Sequence, residues 1–240
     1  MGFLAVVFGA SILAGSIASI AGFGIGSLLT PLIALRYDMR VAVAAVSIPH
    51  VAATALRFWV LRRHLDRRVF VRFGIASAAG GLAGALLQSR VSSSSLGVVL
   101  AGLLVLAALS ELSGLARRIR PGPGAAWIGG ALSGLFGGLV GNQGGIRSAA
   151  LLGFDIEKAS LVATATAVAL LVDLARMPVY VISNANALRD AAALIVVMTA
   201  GATLGTLAGG RVLRRMPEAA FRRIVAVLLL ALAAWLLARA

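Results

Sequence analysis

The sequence of 240 residues holds no cysteine, two histidines and a single lysine, Lys158, among its 22 basic residues. Without cysteine it cannot be a disulfide-stapled secreted fold, and two histidines cannot supply a metal-ligand cluster. Charged residues make up only 12% of the chain against 60% apolar, and the mean hydropathy is +1.01. A soluble domain carries about twice that charge, so disorder, collagen and an ordinary globular domain are excluded and an integral membrane protein is indicated. At roughly 20 residues per span there is no room for a separate soluble domain.

The net charge is +14, which in a soluble chain would suggest nucleic acid. Here the arginines gather in short connections between apolar runs, where they orient the protein against the cytoplasmic leaflet. No nucleic-acid partner is therefore expected. The opening MGFLAVVFGA has neither a basic n-region nor a cleavage signature, and is expected to be retained.

The apolar runs fall into two similar series. The first comprises Gly2 to Ile20, the glycine-rich break AGFGIG at Ala21 to Gly26, a short run Ser27 to Leu35, then Val41 to Leu61, Val69 to Leu87 and Leu96 to Leu115. The second comprises Ala125 to Val140, the break GNQGG at Gly141 to Gly145, a short run Ile146 to Phe154, then Ala159 to Ile182, Ala191 to Gly209 and Phe221 to Leu237. At an offset near 119, Leu13, Gly15, Gly22, Gly26, Val43, Ala44 and Arg57 match Leu132, Gly134, Gly141, Gly145, Val162, Ala163 and Arg176. Gly80, Gly84, Arg90 and Val91 match Gly201, Gly205, Arg211 and Val212 at an offset of 121, and Asp38 pairs with Asp155 across a shorter loop. Polar matches in order and nearly in register mark an internal repeat: residues 1–115 and 125–240, joined by a connector at 116–124.

Charge sets the orientation of the halves. RRHLDRR in the first half is strongly basic and its counterpart SNANALRD is close to neutral; QSRVSSSS carries one arginine and its counterpart RVLRRMPEAAFRR carries five. The positive-inside rule then puts Arg62 to Arg68, Arg117 to Arg120 and Arg211 to Arg223 on the cytoplasmic side and gives the repeats opposite topology. Opposite topology needs an odd number of crossings per half. Three long runs supply it, so each glycine-interrupted segment begins and ends on one side as a helical hairpin, and both chain termini face outward. The second arms are too short to span, which favours re-entry. The expected fold is all-α, an integral membrane protein of two inverted-topology repeats, each a hairpin plus three transmembrane helices.

Irregular backbone at membrane depth is tolerated only where protein buries it or it lines a cavity. Gly22, Gly24, Gly26 and Ser27 in the first tip, and Gly141, Asn142, Gln143, Gly144 and Gly145 in the second, are the candidates. Gly26 and Gly145 are expected in the turn itself, where a side chain meets a forbidden backbone angle or fills ligand space. Each second arm would start at its tip with free amides and a positive dipole end, and two such ends brought together make an anion site. The alternative is that the glycines only permit close packing, the role expected of Gly80, Gly84, Gly201 and Gly205. Arg147, on the first turn of the second short arm, opposes the local dipole and is shaped to hold an oxyanion by two hydrogen bonds; a structural ion pair is its alternative. Arg57 and Arg176 match across the repeat and lie near helix ends, where snorkelling is open to them. Asp173 shares a helix face with Arg176, which points to a local ion pair. His50, on roughly the face of Arg57, is either a carrier of a coupling proton or a packing histidine. Ser47 and Thr166 match and either line a path or bond back to their own helices. No signature of an enzyme is present: GFGIGS follows a membrane run and not a βαβ pattern, and there is no P-loop. No cofactor is expected.

The segments AGFGIGSLLTPLIAL, RVAVAAVS and LRRHLDRRV, with GLVGNQGGIRSAALLGFDIEKASLVATA in the second half, resemble the TauE/SafE family of sulfite exporter-like permeases over essentially the whole chain. The resemblance implies a multi-pass secondary transporter of the bacterial inner membrane, carrying sulfite, thiosulfate or an organosulfonate. The commoner family pattern has a second tip rich in glycine and then apolar residues; here Asn142, Gln143 and Arg147 stand in it. A passive anion channel of the same fold and a non-transporting membrane protein are the competing readings.

Overall fold

The computed structural model describes residues 2–21, 24–114, 122–154, 156–209 and 217–239. Among them the regular structure is entirely helical. In chain order the helices are α1 Gly2–Ala21, α2 Ile25–Ile33, α3 Met39–Leu61, α4 Arg67–Gln88, α5 Ser93–Ser113, α6 Pro123–Val140, α7 Gly144–Leu151, α8 Lys158–Ser183, α9 Ala185–Asp190, α10 Ala192–Leu204 and α11 Glu218–Leu237. Seven helices are long and apolar enough to cross a bilayer, counting α10 with the π-helical turn Gly205–Gly209 that continues it. The protein is a multi-pass membrane protein. Leu, Val and Ile side chains on the outer faces, such as Val60, Leu106, Ile182 and Val196, are exposed as lipid contact requires.

Local chemistry places several helix starts. Asp38 accepts from the Arg40 amide at 2.8 Å, Asp66 from Val69 at 2.9 Å and Ser92 from Ser95 at 3.1 Å, so α3, α4 and α5 each begin at a side-chain N-cap. Asp155, the expected counterpart of Asp38, lies outside the described residues. The segment SNANALRD, expected as a plain connection, instead forms α9. Alanine, leucine and arginine are good helix formers, and the Asn184 carbonyl accepts the first bond, from Leu188 at 2.9 Å.

The glycine-interrupted segments fold back as hairpins. With nine and eight residues, α2 and α7 reach only about 14 and 12 Å, far short of about 30 Å of hydrocarbon. The Arg36 guanidinium stacks 4.1 Å from the centre of the Phe3 ring, so the first hairpin starts and ends at one level. In the second, Gly129 near the start of α6 lies against Ala150 near the end of α7.

Two glycine seams hold the hairpins to the rest. On α4 and α6, a Cβ at Gly80 or Gly84 would overlap the carbonyl of Ala131 or Leu135, and one at Gly134 or Gly138 the carbonyl of Ser77 or Gly81. On α1 and α10, Gly205 lies on the Ile12 carbonyl, Gly201 on that of Phe8 and Gly15 on that of Ala202. Glycine lets the backbones close to carbonyl contact, which supplies dispersion and Cα–H···O attraction where lipid removes the hydrophobic driving force. Packing is thus what Gly80, Gly84, Gly201 and Gly205 do. The two seams differ in register. Ala131 faces Gly80, but its counterpart Ile12 faces Gly205, which corresponds to Gly84; Gly134 sits on Ser77, but Gly15 sits on Ala202, which corresponds to Gly81. Both comparisons give the same four-residue slip, about 6 Å along a helix. The π turn belongs to the shifted seam alone, since α4 continues as α-helix through Gln88.

Leucine at Gly84 should force α4 and α6 apart, at a cost of about 1–3 kcal/mol or more from overpacking. Leucine at Gly102, an exposed glycine of α5 with open space around it, should be tolerated. Thermal unfolding of the purified variants checks the contrast: a lower midpoint for Gly84→Leu and none for Gly102→Leu.

Candidate functional site

The two breaks meet. In the first, Gly24 adopts φ 143° and packs on Ile17 and the Ala14 carbonyl; in the second, Gly141 adopts φ 75° and donates its N–H back to Gly137 at 3.0 Å. Gly26 lies so close to the Gly141 carbonyl that no Cβ fits between them, and the Ser27 hydroxyl donates to Asn142 Oδ1 at 3.2 Å. Gly26 and Gly145, expected in the turn, lie inside the short helices, and the positive φ angles fall on Gly24 and Gly141. The short arms start earlier than their apolar runs, so Gly26 and Gly145 are already helical, Gly26 required by close approach and Gly145 facing open space.

Breaking a helix inside a membrane leaves carbonyls at one end and amides at the other without intrahelical partners. The carbonyl ends are capped by side chains from distant helices. Arg176 Nη1 donates to the Gly137 carbonyl, the Tyr180 hydroxyl to Gly138, and Gln88 Nε2 to Leu139 at 2.9 Å. In the first hairpin Arg57 Nη1 donates to the Ala18 carbonyl. Arg57 and Arg176 are 119 apart, and so are Ala18 and Gly137. Both arginines therefore cap their own hairpin, and Arg57 reaches inward rather than snorkelling.

The amide ends are different. Neither α2 nor α7 has a side-chain cap on its first turn, although both starts are buried. Around them lie polar atoms without a hydrogen-bond partner among the described residues: both amide atoms of Gln143, a side chain only 3% exposed, and the Thr30 hydroxyl. Gln143 contributes its backbone carbonyl to Ser133 at 2.9 Å, which fixes the turn and leaves the side-chain amide over. Arg147, 1% exposed, stands on the first turn of α7 and interacts electrostatically with Arg57, Asp173 and Arg176. Among the described residues, three guanidiniums, Arg57, Arg147 and Arg176, gather around the Asp173 carboxylate.

Asp173 is buried and fully engaged. Its Oδ1 accepts from Arg176 Nε at 3.1 Å and Nη2 at 2.8 Å, the ion pair expected from their spacing, while Oδ2 lies 2.6 Å from His50 Nδ1 on α3. His50 thus faces Asp173, a partner that its spacing from Arg57 did not point to. Ser47 donates to the Ala44 carbonyl and Thr166 to that of Val162, each within its own helix; Ser47 also lies 3.3 Å from Met177 Sδ. Gly22 lies outside the described residues. Gly144 opens α7 next to Gln143. Tyr180, Gln88, Thr30 and Ser133 were not among the sequence candidates. Tyr180 carried a signal, four residues after Arg176 on the same face; the others did not. A cavity of about 110 Å³, lined by Arg40, Gln88, Ser89, Tyr180, Ser183 and Asn184 among others, reaches two of the three side chains that cap α6, Gln88 and Tyr180.

No curated protein and no solved structure matches the chain at a significant level. The profile of the family described as sulfite exporter TauE/SafE matches residues 7–236, nearly the full length. The chain belongs to the TauE/SafE sulfite exporter family.

Proposed function

We propose that the protein is a secondary transporter of a small sulfur-containing oxyanion, such as sulfite, thiosulfate or an organosulfonate, in the bacterial inner membrane. The observation that carries this reading is the meeting of two uncapped, buried helix starts in an interior rich in guanidinium. Amide N–H groups and a positive dipole end favour an anion, and Arg147 and the idle Gln143 amide add donors of the right kind. Gly24, Gly26, Ser27, Gly141, Asn142, Gln143, Gly144, Gly145 and Arg147 form the site in this reading.

Residues 1–115 and 125–240 act as two halves of opposite topology about that site. Matched capping contacts at one offset, Arg57 to Ala18 and Arg176 to Gly137, support their equivalence. The one-turn slip between the glycine seams supports alternating access over a passive channel. Two equivalent halves held in different registers can exchange them, which opens the site to the other side without moving the tips apart.

Topology is tested by single cysteines, for which the cysteine-free chain is a clean background. In intact cells an impermeant maleimide should label Asn186→Cys and spare Arg67→Cys until the membrane is opened. Equal labelling of both removes the inverted arrangement.

Arg147 should bind the anion directly. Charge-assisted hydrogen bonds contribute about 1.5–3 kcal/mol each, so Arg147→Ala should weaken binding at least about tenfold. Arg147→Lys should recover only part, because an ammonium cannot grip two oxygens as a planar fork does. Calorimetry with sulfite, thiosulfate and sulfate on the purified proteins decides; unchanged affinity in Arg147→Ala returns this residue to a structural role.

A further inference from the structure

We infer that His50 and Asp173 form a proton site whose occupancy is coupled to anion binding at the tips, an inference that rests on the transporter reading above. With the Asp173 carboxylate held ionised by two Arg176 N–H groups, the nitrogen 2.6 Å from Oδ2 is the one that carries hydrogen, so Nδ1–H donates to Asp173. The second ring nitrogen, Nε2, is then the one with a lone pair open to a proton. Its lone pair takes a proton from hydronium, forming an N–H bond as one O–H bond of the hydronium breaks and releases water. The His50 side chain is 14% exposed while Asp173 is sealed at 0%, so the pair is accessible from the histidine side alone.

The ionisable surroundings are few. Helices α1, α2, α6 and α10 carry no ionisable side chain; α4 carries Arg67, Arg68 and Arg72 and α9 carries Arg189 and Asp190, while Arg57 on α3, Arg147 on α7, and Arg176 and Tyr180 on α8 are the groups in electrostatic contact with this cluster among the described residues. Histidine is the one side chain of this set whose charge ordinarily changes between about pH 5 and 8. The site is also single. His50 corresponds to Ala169 and Asp173 to Thr54, so the second half cannot form a copy of it.

Its position links it to the tips. The carboxylate that His50 touches also orients Arg176, and Arg176 holds the Gly137 carbonyl at the end of α6, one turn before the second tip. Asp173 also lies within the electrostatic reach of Arg147. A proton on Nε2 spends part of the Asp173 charge on imidazolium and leaves the arginines more available to an incoming oxyanion. By reciprocity, a bound oxyanion raises the affinity of His50 for its proton.

The test is calorimetric titration of the full-length protein in nanodiscs with thiosulfate and sulfate, which stay ionised across this range, and with sulfite. Wild type should take up a fraction of a proton per anion bound near neutral pH, read from buffers of different ionisation enthalpy. Its affinity should rise as pH falls through 7, by at most about tenfold per pH unit, the limit for one proton. His50→Gln, whose amide can still donate to Asp173, should bind with no proton uptake of its own and a flat profile. Equal proton uptake by wild type and His50→Gln overturns the coupling while leaving the anion site standing. A flat wild-type profile for every anion that binds does the same without needing the variant. Failure of all three anions to bind any form would remove the anion site and this inference with it.

Discussion

A backbone broken inside a bilayer must find partners for its freed polar groups, and most of this architecture answers that demand. Water is absent there, and each orphaned carbonyl or amide costs several kcal/mol. At the carbonyl ends the cost is offset by donors brought from α3, α4 and α8: Arg57 on Ala18, Arg176 on Gly137, Tyr180 on Gly138 and Gln88 on Leu139. The glycine seams make this possible, because α4 must lie at backbone contact with α6 for Gln88 to reach its mark. The amide ends receive no side-chain cap among the described residues, and the two tips meet through Gly26 and Gly141 and through Ser27 and Asn142.

The two halves answer the demand unequally. Where the second tip has Gln143 and Arg147, the first has Gly24 and Leu28, and where α8 has Asp173, α3 has Thr54. One half therefore supplies most of the polar side chains and the other mainly backbone. The unequal seam registers, together with a π turn in one half only, are the same asymmetry at the level of packing.

Much of the frame was legible in the residues. Glycine breaks at matched positions marked both hairpins, small-residue spacing marked the seams, and the Asp173–Arg176 pair followed from helical geometry. What stayed hidden were contacts between segments far apart in the chain. Arg57 and Arg176 each reach a carbonyl 39 residues earlier, and a terminal arginine on one helix carries no sign of whether it bends outward to lipid headgroups or inward to a backbone. His50 meets Asp173 only because α3 and α8 cross, and an angle of crossing is not written in either helix alone. The apolar runs begin after Gly26 and Gly145 and so point to turn residues there, yet helices start where hydrogen bonding allows, within the break itself.

The central claim, that the facing amide ends hold an oxyanion, is most directly tested by locating one. Crystals grown with selenite, a heavier analogue of sulfite, would give an anomalous selenium signal that marks the ion independently of the protein density. The account predicts a peak between the first turns of α2 and α7, within about 3 Å of donors from Gly26, Ser27, Gly145 or Arg147. Selenium found only elsewhere, with the tips unoccupied at saturating selenite, would contradict it.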